Sequence, residues 1–123
     1  MTAPGRILLS LLAAAAVLAC DSVELTLAVS PAAGGGLDVS NANDTAWPDA
    51  RLLVEAVESD GSTTTCLETA VGTWHPGDAV TVPVCGDKLR LTVTTGGETA
   101  RFSWANGQLY RKFGRKEIPI DNS

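Results

Sequence analysis

The chain has 123 residues, enough for one ordinary domain, and its 14 acidic residues outweigh 9 basic ones for a formal net charge of -5. That balance argues against a nucleic-acid-binding surface. A single histidine and three cysteines leave little material for a metal cluster or for imidazole-based catalysis.

Residues 1–19 have the layout of a secretory leader: Arg6 and the amino terminus are the positive region, and Ile7 to Ala19 form an apolar run. The run is short of the roughly 20 residues a spanning helix needs, which favours a cleaved signal over a permanent anchor. Its last residues, Val17-Leu18-Ala19-Cys20, resemble the lipobox of bacterial lipoproteins. The resemblance implies cleavage before Cys20, a diacylglycerol on its thiol and a further acyl chain, palmitate or similar, on the new amino terminus. Two or more acyl chains anchor firmly where one does not. The expected location is therefore the cell envelope, lipid-anchored and facing the periplasm or exterior. Asp21 resembles the signal that retains some enteric lipoproteins in the inner membrane. The alternative is an ordinary leader, cut near Ala19, that happens to contain a cysteine.

With Cys20 assigned to lipid, two cysteines remain for an oxidising compartment. Cys66 and Cys85 are expected to pair, closing a loop worth roughly 3 kcal/mol on the chain-entropy estimate. The alternatives are two buried thiols or, less in keeping with the spacing, a metal pair.

Beyond residue 22 the pattern is period two, rich in Val, Leu and Thr and punctuated by Gly, Pro, Asn and Asp, which predicts strands. Val23, Leu25, Leu27 and Val29 share one face of a first strand. Leu37 and Val39 begin a short second one, and Leu52 to Val57 a third that is apolar on both faces, as a central strand would be. Asp60-Gly61 predicts a turn before a fourth strand from Thr63, and His75 to Asp78 a second turn before Val80, Val82 and Val84. Leu67, Ala70, Val71 and Trp74 also have helical spacing, but Gly72 and the preceding threonines favour strand. Leu89 to Val93 and Ala100 to Trp104 supply a sixth and a seventh strand. Asn106-Gly107 is a hairpin signal that adds a strand over Gln108 to Phe113. The division expected is a leader (1–19), a lipidated terminus (20–22), a β domain (23–113) and a C-terminal tail (114–123).

About seven short strands spaced in this way predict an all-β antiparallel sandwich or small barrel, with the sandwich taken as the fold, preceded by the signal helix. The Asn41-Ala42-Asn43-Asp44 turn, Trp47 ahead of a strand and the Pro76-Gly77-Asp78 corner before Val80 resemble small immunoglobulin-like or fibronectin-III-like domains of bacterial exported proteins. The placement of Cys66 and Cys85 differs from the inter-sheet bridge of antibody domains.

Without the leader, eight basic residues face fourteen acidic ones, a net of minus six. The bases are unevenly spread: Arg111, Lys112, Arg115 and Lys116 cluster around Phe113, while acids crowd residues 38–68. Trp47, Arg111, Lys112 and Phe113 form the candidate binding surface, for anionic lipid or an envelope protein, against the reading of a solvated edge strand. Trp47, Trp74 and Trp104 are an aromatic set, of which at least two are expected in the core. His75 is the lone candidate base and lies in a turn. The carboxylate pairs Glu55/Glu58 and Asp49/Asp60 are not singled out by spacing, and residues 38–45 lack the glycine and glutamate of a calcium loop. Asn43-Asp44-Thr45 matches a glycosylation sequon that is incidental in a bacterium. No catalytic residue, cofactor or metal is therefore expected. The first reading is a non-enzymatic binding or structural module at the envelope; the alternatives are an inhibitor-like or accessory module acting on an exported enzyme and, more remotely, a small hydrolase.

Overall fold

A computed structural model describes residues 24–120; the leader, the candidate signal helix and Cys20 lie outside the described residues. The alternating segments become nine strands: β1 (Leu27–Pro31), β2 (Leu37–Asn41), β3 (Trp47–Val57), β4 (Thr63–Trp74), β5 (Ala79–Val82), β6 (Lys88–Thr95), β7 (Glu98–Ala105), β8 (Gln108–Phe113) and β9 (Lys116–Ile120). They pair antiparallel in two sheets, β1-β2-β5 and β4-β3-β6-β7-β8-β9, which pack as a β-sandwich.

The core follows from the alternation. Leu52, Val54 and Ala56 on β3, Leu89, Leu91 and Val93 on β6, and Phe102 on β7 turn one face of the large sheet inward, and Leu27, Val29, Leu37, Val39 and Val82 answer from the small sheet. Side chains of this kind each contribute about 1.5–3 kcal/mol when fully removed from water. β3 lies between β4 and β6, the central place that its two apolar faces predict. Trp47 and Trp74 meet edge to face with ring centroids 5.4 Å apart. Each finds a partner for its indole N–H, Trp47 donating to Asn43 Oδ1 (3.0 Å) and Trp74 to the Asp78 carbonyl (2.7 Å).

One end of the sandwich is fixed by Asn41, a buried polar residue whose Nδ2 donates to the carbonyls of Trp74 (2.8 Å) and Thr45 (3.0 Å) while its Oδ1 accepts from the Asn43 N–H (2.8 Å). Because every hydrogen-bonding atom of that amide is paired, its burial costs little, and losing a partner would expose the full desolvation penalty. Cys66 on β4 and Cys85, beyond β5, form a disulfide with Cα atoms 6.3 Å apart, joining the edge of the large sheet to the segment that leaves the small one.

One sequence expectation is met against a competing pattern, and two others change. Residues 67–74, with their competing helical spacing, belong to strand β4. The first strand starts at Leu27, with Val23 outside the described residues: Leu25 is buried, but Glu24–Thr26 is held by Asn43 and by one backbone bond, from the Ala42 N–H to the Thr26 carbonyl (2.9 Å), and is not part of β1. Most consequentially, the domain does not end at residue 113, because Lys116–Ile120, expected as tail, is a ninth strand paired with β8. Asn106-Gly107 makes the predicted two-residue turn with φ of 53° and 75°, as a type I′ hairpin requires. Gly114, at φ 63°, opens an equally short turn with Arg115, the Gly-X pattern of a type II′ hairpin.

Candidate functional site

The two sheets differ in width, and the site arises from that mismatch. The register places Leu109, Arg111 and Phe113 of β8 on the same face as Phe102, and Ile118 and Ile120 of β9 on that face too. Leu109 is buried with the core and Ile120 packs against it. Phe113 and Ile118, by contrast, are 51% and 48% exposed. The inward face of the large sheet therefore continues past the small sheet as an uncovered, partly apolar overhang.

Arg111 stands at the boundary. Its guanidinium lies 4.9 Å from the Phe102 ring centroid and 6.0 Å from that of Phe113, pairs with Glu24 at 3.2 Å and donates to the Leu25 carbonyl and to Thr26 Oγ1. Only 12% of its side chain is exposed. The residue is thus a clasp that holds the amino-terminal segment 24–26 to the edge of the large sheet. Asn43 completes the attachment, with its Nδ2 donating to the Glu24 carbonyl (3.1 Å) and its Oδ1 accepting from the Thr26 N–H (3.2 Å).

On the opposite face of the sheet, Lys112 is 3.4 Å from Glu117, and Lys88 is 3.1 Å from the same carboxylate. Ser103 donates its hydroxyl to Glu117 at 2.9 Å. That hydrogen bond, with the two ammonium groups, holds the Glu117 carboxyl below its ordinary range against the opposing effect of burial. Three strands, β7, β8 and β9, are thereby tied through one side chain, and β6 joins through Lys88.

Between these two networks the ladder of β7 and β8 ends at Phe102 and Arg111. Beyond it the strands part around a cleft of about 370 Å³, lined by Thr99, Arg101, Arg111, Lys112, Phe113 and Gly114 among others. Arg101 in the cleft wall, Arg115 in the adjoining turn and Lys116 at the start of β9 are exposed and make no ion pair among the described residues.

The candidate surface read from the sequence is divided by this geometry. Trp47 leaves it altogether: it is 3% exposed and belongs to the core with Trp74, while Trp104 is half-buried against the core. Arg111 and Lys112 are at the predicted place but engaged by carboxylates, and Phe113 is the one member that is both exposed and free to touch a partner. Ile118 and Arg101 are not legible as site residues in the sequence, the first because the charge and proline of residues 116–120 mask a strand. The Gly114-Arg115 pair between alternating segments is the signal that would have found it.

The remaining chemical candidates have structural surroundings. His75 is exposed in the turn before β5, beside the backbone bond from Asp78 N–H to its own carbonyl (3.1 Å). Glu55 faces Arg90 at 3.9 Å and accepts from Thr63 Oγ1 at 3.1 Å. Asp60 accepts from both the backbone N–H and the hydroxyl of Ser62, which lowers its pKa and closes the β3–β4 turn. Among the described residues no three His, Cys, Asp or Glu side chains are grouped closely enough to hold a metal ion. Comparison with protein families, curated proteins and solved structures finds no match to this chain.

Proposed function

We propose that the chain is a bacterial lipoprotein, acylated at Cys20, whose sandwich acts as a non-enzymatic binding or structural module close to the membrane at the cell envelope. The lipobox resemblance at residues 17–20 supports the anchor, and the observation that carries the closeness to the membrane is the short reach from Cys20 to the folded domain. The backbone is already fixed at Glu24–Thr26 by Asn43 and Arg111, only four residues after Cys20. Four extended residues span at most about 14 Å, so the folded domain would sit against the bilayer rather than range away from it on a tether. The disulfide suits an oxidising, extracytoplasmic compartment.

The finer resemblance to fibronectin-III-like domains is supported by strand order. β1-β2-β5 facing β4-β3-β6-β7 matches the two sheets of that group, with β8 and β9 as an addition at one edge. Such domains commonly act through their surfaces, and here Glu55 and Glu117 are engaged in ion pairs and Asp60 in a turn.

Metabolic labelling with an alkyne-bearing fatty acid tests the anchor. The wild-type chain should take up the label and Cys20→Ala should not. A wild-type chain without label, or equal labelling of both, rejects the lipoprotein reading.

A further inference from the structure

We infer that the corner formed by the ends of β7 and β8, the Gly114-Arg115 turn and the inner face of β9 is a seat for anionic phospholipid headgroups that sets the orientation of the domain on its own membrane. This rests on the proposed acylation of Cys20.

The first argument is position. Arg111 contacts Glu24, Leu25 and Thr26, so the segment leading to Cys20 leaves the domain at this corner and not at the opposite end. The registers agree: Arg51 lies opposite Thr94 and Thr95 opposite Glu98, while Phe113 pairs with Lys116, which puts the end of β8 at the same end of the sheet as the start of β3 and the β6–β7 turn. An acyl anchor about four residues from Glu24 would bring the Phe113 corner within reach of the headgroup layer. The loop of Glu58 to Ser62 lies at the far end.

The second argument is chemistry. Arg101, Arg115 and Lys116 are exposed cations without an ion pair among the described residues, arranged around a cleft with Arg111 and Lys112 in its wall. Phe113 and Ile118 give the same corner two large exposed apolar side chains. Exposed bases beside an aromatic ring suit the boundary between headgroups and acyl chains, where an apolar body and a charged tip are both accommodated. The chain as a whole is acidic, so a soluble cationic partner would find better footing elsewhere. Asp44 and Asp78, in loops, and Asp49, on β3, occupy the same end but are separated from β8 by β6 and β7; Glu98, at the start of β7, is a carboxylate close to the corner and is outnumbered there by the four bases Arg101, Lys112, Arg115 and Lys116. Contact would therefore be made by the basic corner with the domain tilted, not by the whole end.

The seat would leave the Glu58 to Ser62 end and the β4 edge turned away from the bilayer. One cation near an anionic surface changes occupancy of the seated state by about fivefold, and three together by roughly a hundredfold.

The test uses the full acylated protein, purified in detergent and reconstituted into vesicles of phosphatidylglycerol or of phosphatidylcholine. Amide hydrogen exchange is followed by mass spectrometry, and the mass of the amino-terminal peptide is read from the same sample. Exchange over residues 111–118 should slow on phosphatidylglycerol relative to phosphatidylcholine, with the Glu58 to Ser62 loop unaffected. The protection should disappear in 1 M salt, where the screening length falls to about 3 Å. It should also disappear in a triple variant, Arg101→Ser, Arg115→Ser, Lys116→Ser; should that variant not fold, the salt arm on the wild type decides. An acylated chain whose 111–118 segment exchanges alike on both vesicles overturns the seat and leaves the anchor standing. An unacylated amino terminus removes the anchor and the proposal with it. Protection seen in native envelopes but on neither vesicle points to a protein partner and overturns the lipid assignment.

Discussion

Two parts of one sheet face have opposite fates in this domain. Around β3 and β6 the inward side chains are covered by β1, β2 and β5, and Leu52, Val54, Leu89, Leu91 and Val93 are inaccessible. Along β8 and β9 the same face carries Phe113 and Ile118 into solvent. Phe113 and Ile118 occupy the same register positions as inward residues elsewhere, so periodicity reports which residues share a face but not whether another layer reaches it. The covering sheet is three strands wide and the covered one six, and the difference is made visible only by the topology. What edge strands of this kind offer is contact surface, at little expense to folding.

The covered region should be the sensitive one. Trp74 is 1% exposed, stacked edge to face on Trp47 and hydrogen-bonded to Asp78. Trp74→Ala is expected to lower the unfolding free energy by about 3–5 kcal/mol, read from urea denaturation followed by circular dichroism. A loss no greater than that of a surface substitution would mean that the tryptophan pair is not part of the core.

The disulfide should come next. It joins residues 19 apart in sequence, and its removal by reduction or by Cys66→Ala with Cys85→Ala should cost about 3 kcal/mol. A reduced protein with an unchanged denaturation midpoint would show that the β4 edge is held by its ladder alone.

How far the sequence carries can be judged from particular residues. Central β3, the Asn106-Gly107 hairpin and the Cys66–Cys85 pair were legible because each depends on local chemistry: two apolar faces, two residues that tolerate positive φ, two cysteines left over. β9 was not, because Lys116-Glu117-Ile118-Pro119-Ile120 mixes charge and proline, and its place is won by pairing with β8 and by the Glu117 network. Proline is tolerated there because β9 is an edge strand. The candidate site was half legible. A basic run around Phe113 stands out by composition, but which bases are free depends on Glu24, remote in sequence, and on Glu117, which faces Lys112 only once β9 pairs with β8. Trp47 misled because a tryptophan at a strand start reads equally as anchor or as surface until Trp74 is seen beside it.

The Glu117 network is a smaller and pH-dependent contribution to the uncovered region. Its carboxyl is held below the usual 4.5 by Ser103 and the two lysines, so its stabilisation is complete above that value and is lost as pH falls through the lowered folded-state pKa. Glu117→Gln should therefore lower stability by about 1 kcal/mol or less at neutral pH, with the difference from wild type shrinking in acid. Denaturation midpoints compared at pH 7 and pH 3 measure it. A difference that grows on acidification would contradict the network's sign.

The smallest expected effect on stability tests the central distinction most directly. If the β8–β9 overhang is contact surface and not core, the double variant Phe113→Ser, Ile118→Ser should unfold within about 0.5 kcal/mol of the wild type in urea, as substitutions at exposed positions generally do. A loss of several kcal/mol, comparable to that of Trp74→Ala, would contradict the account by showing that these side chains are buried in the native protein.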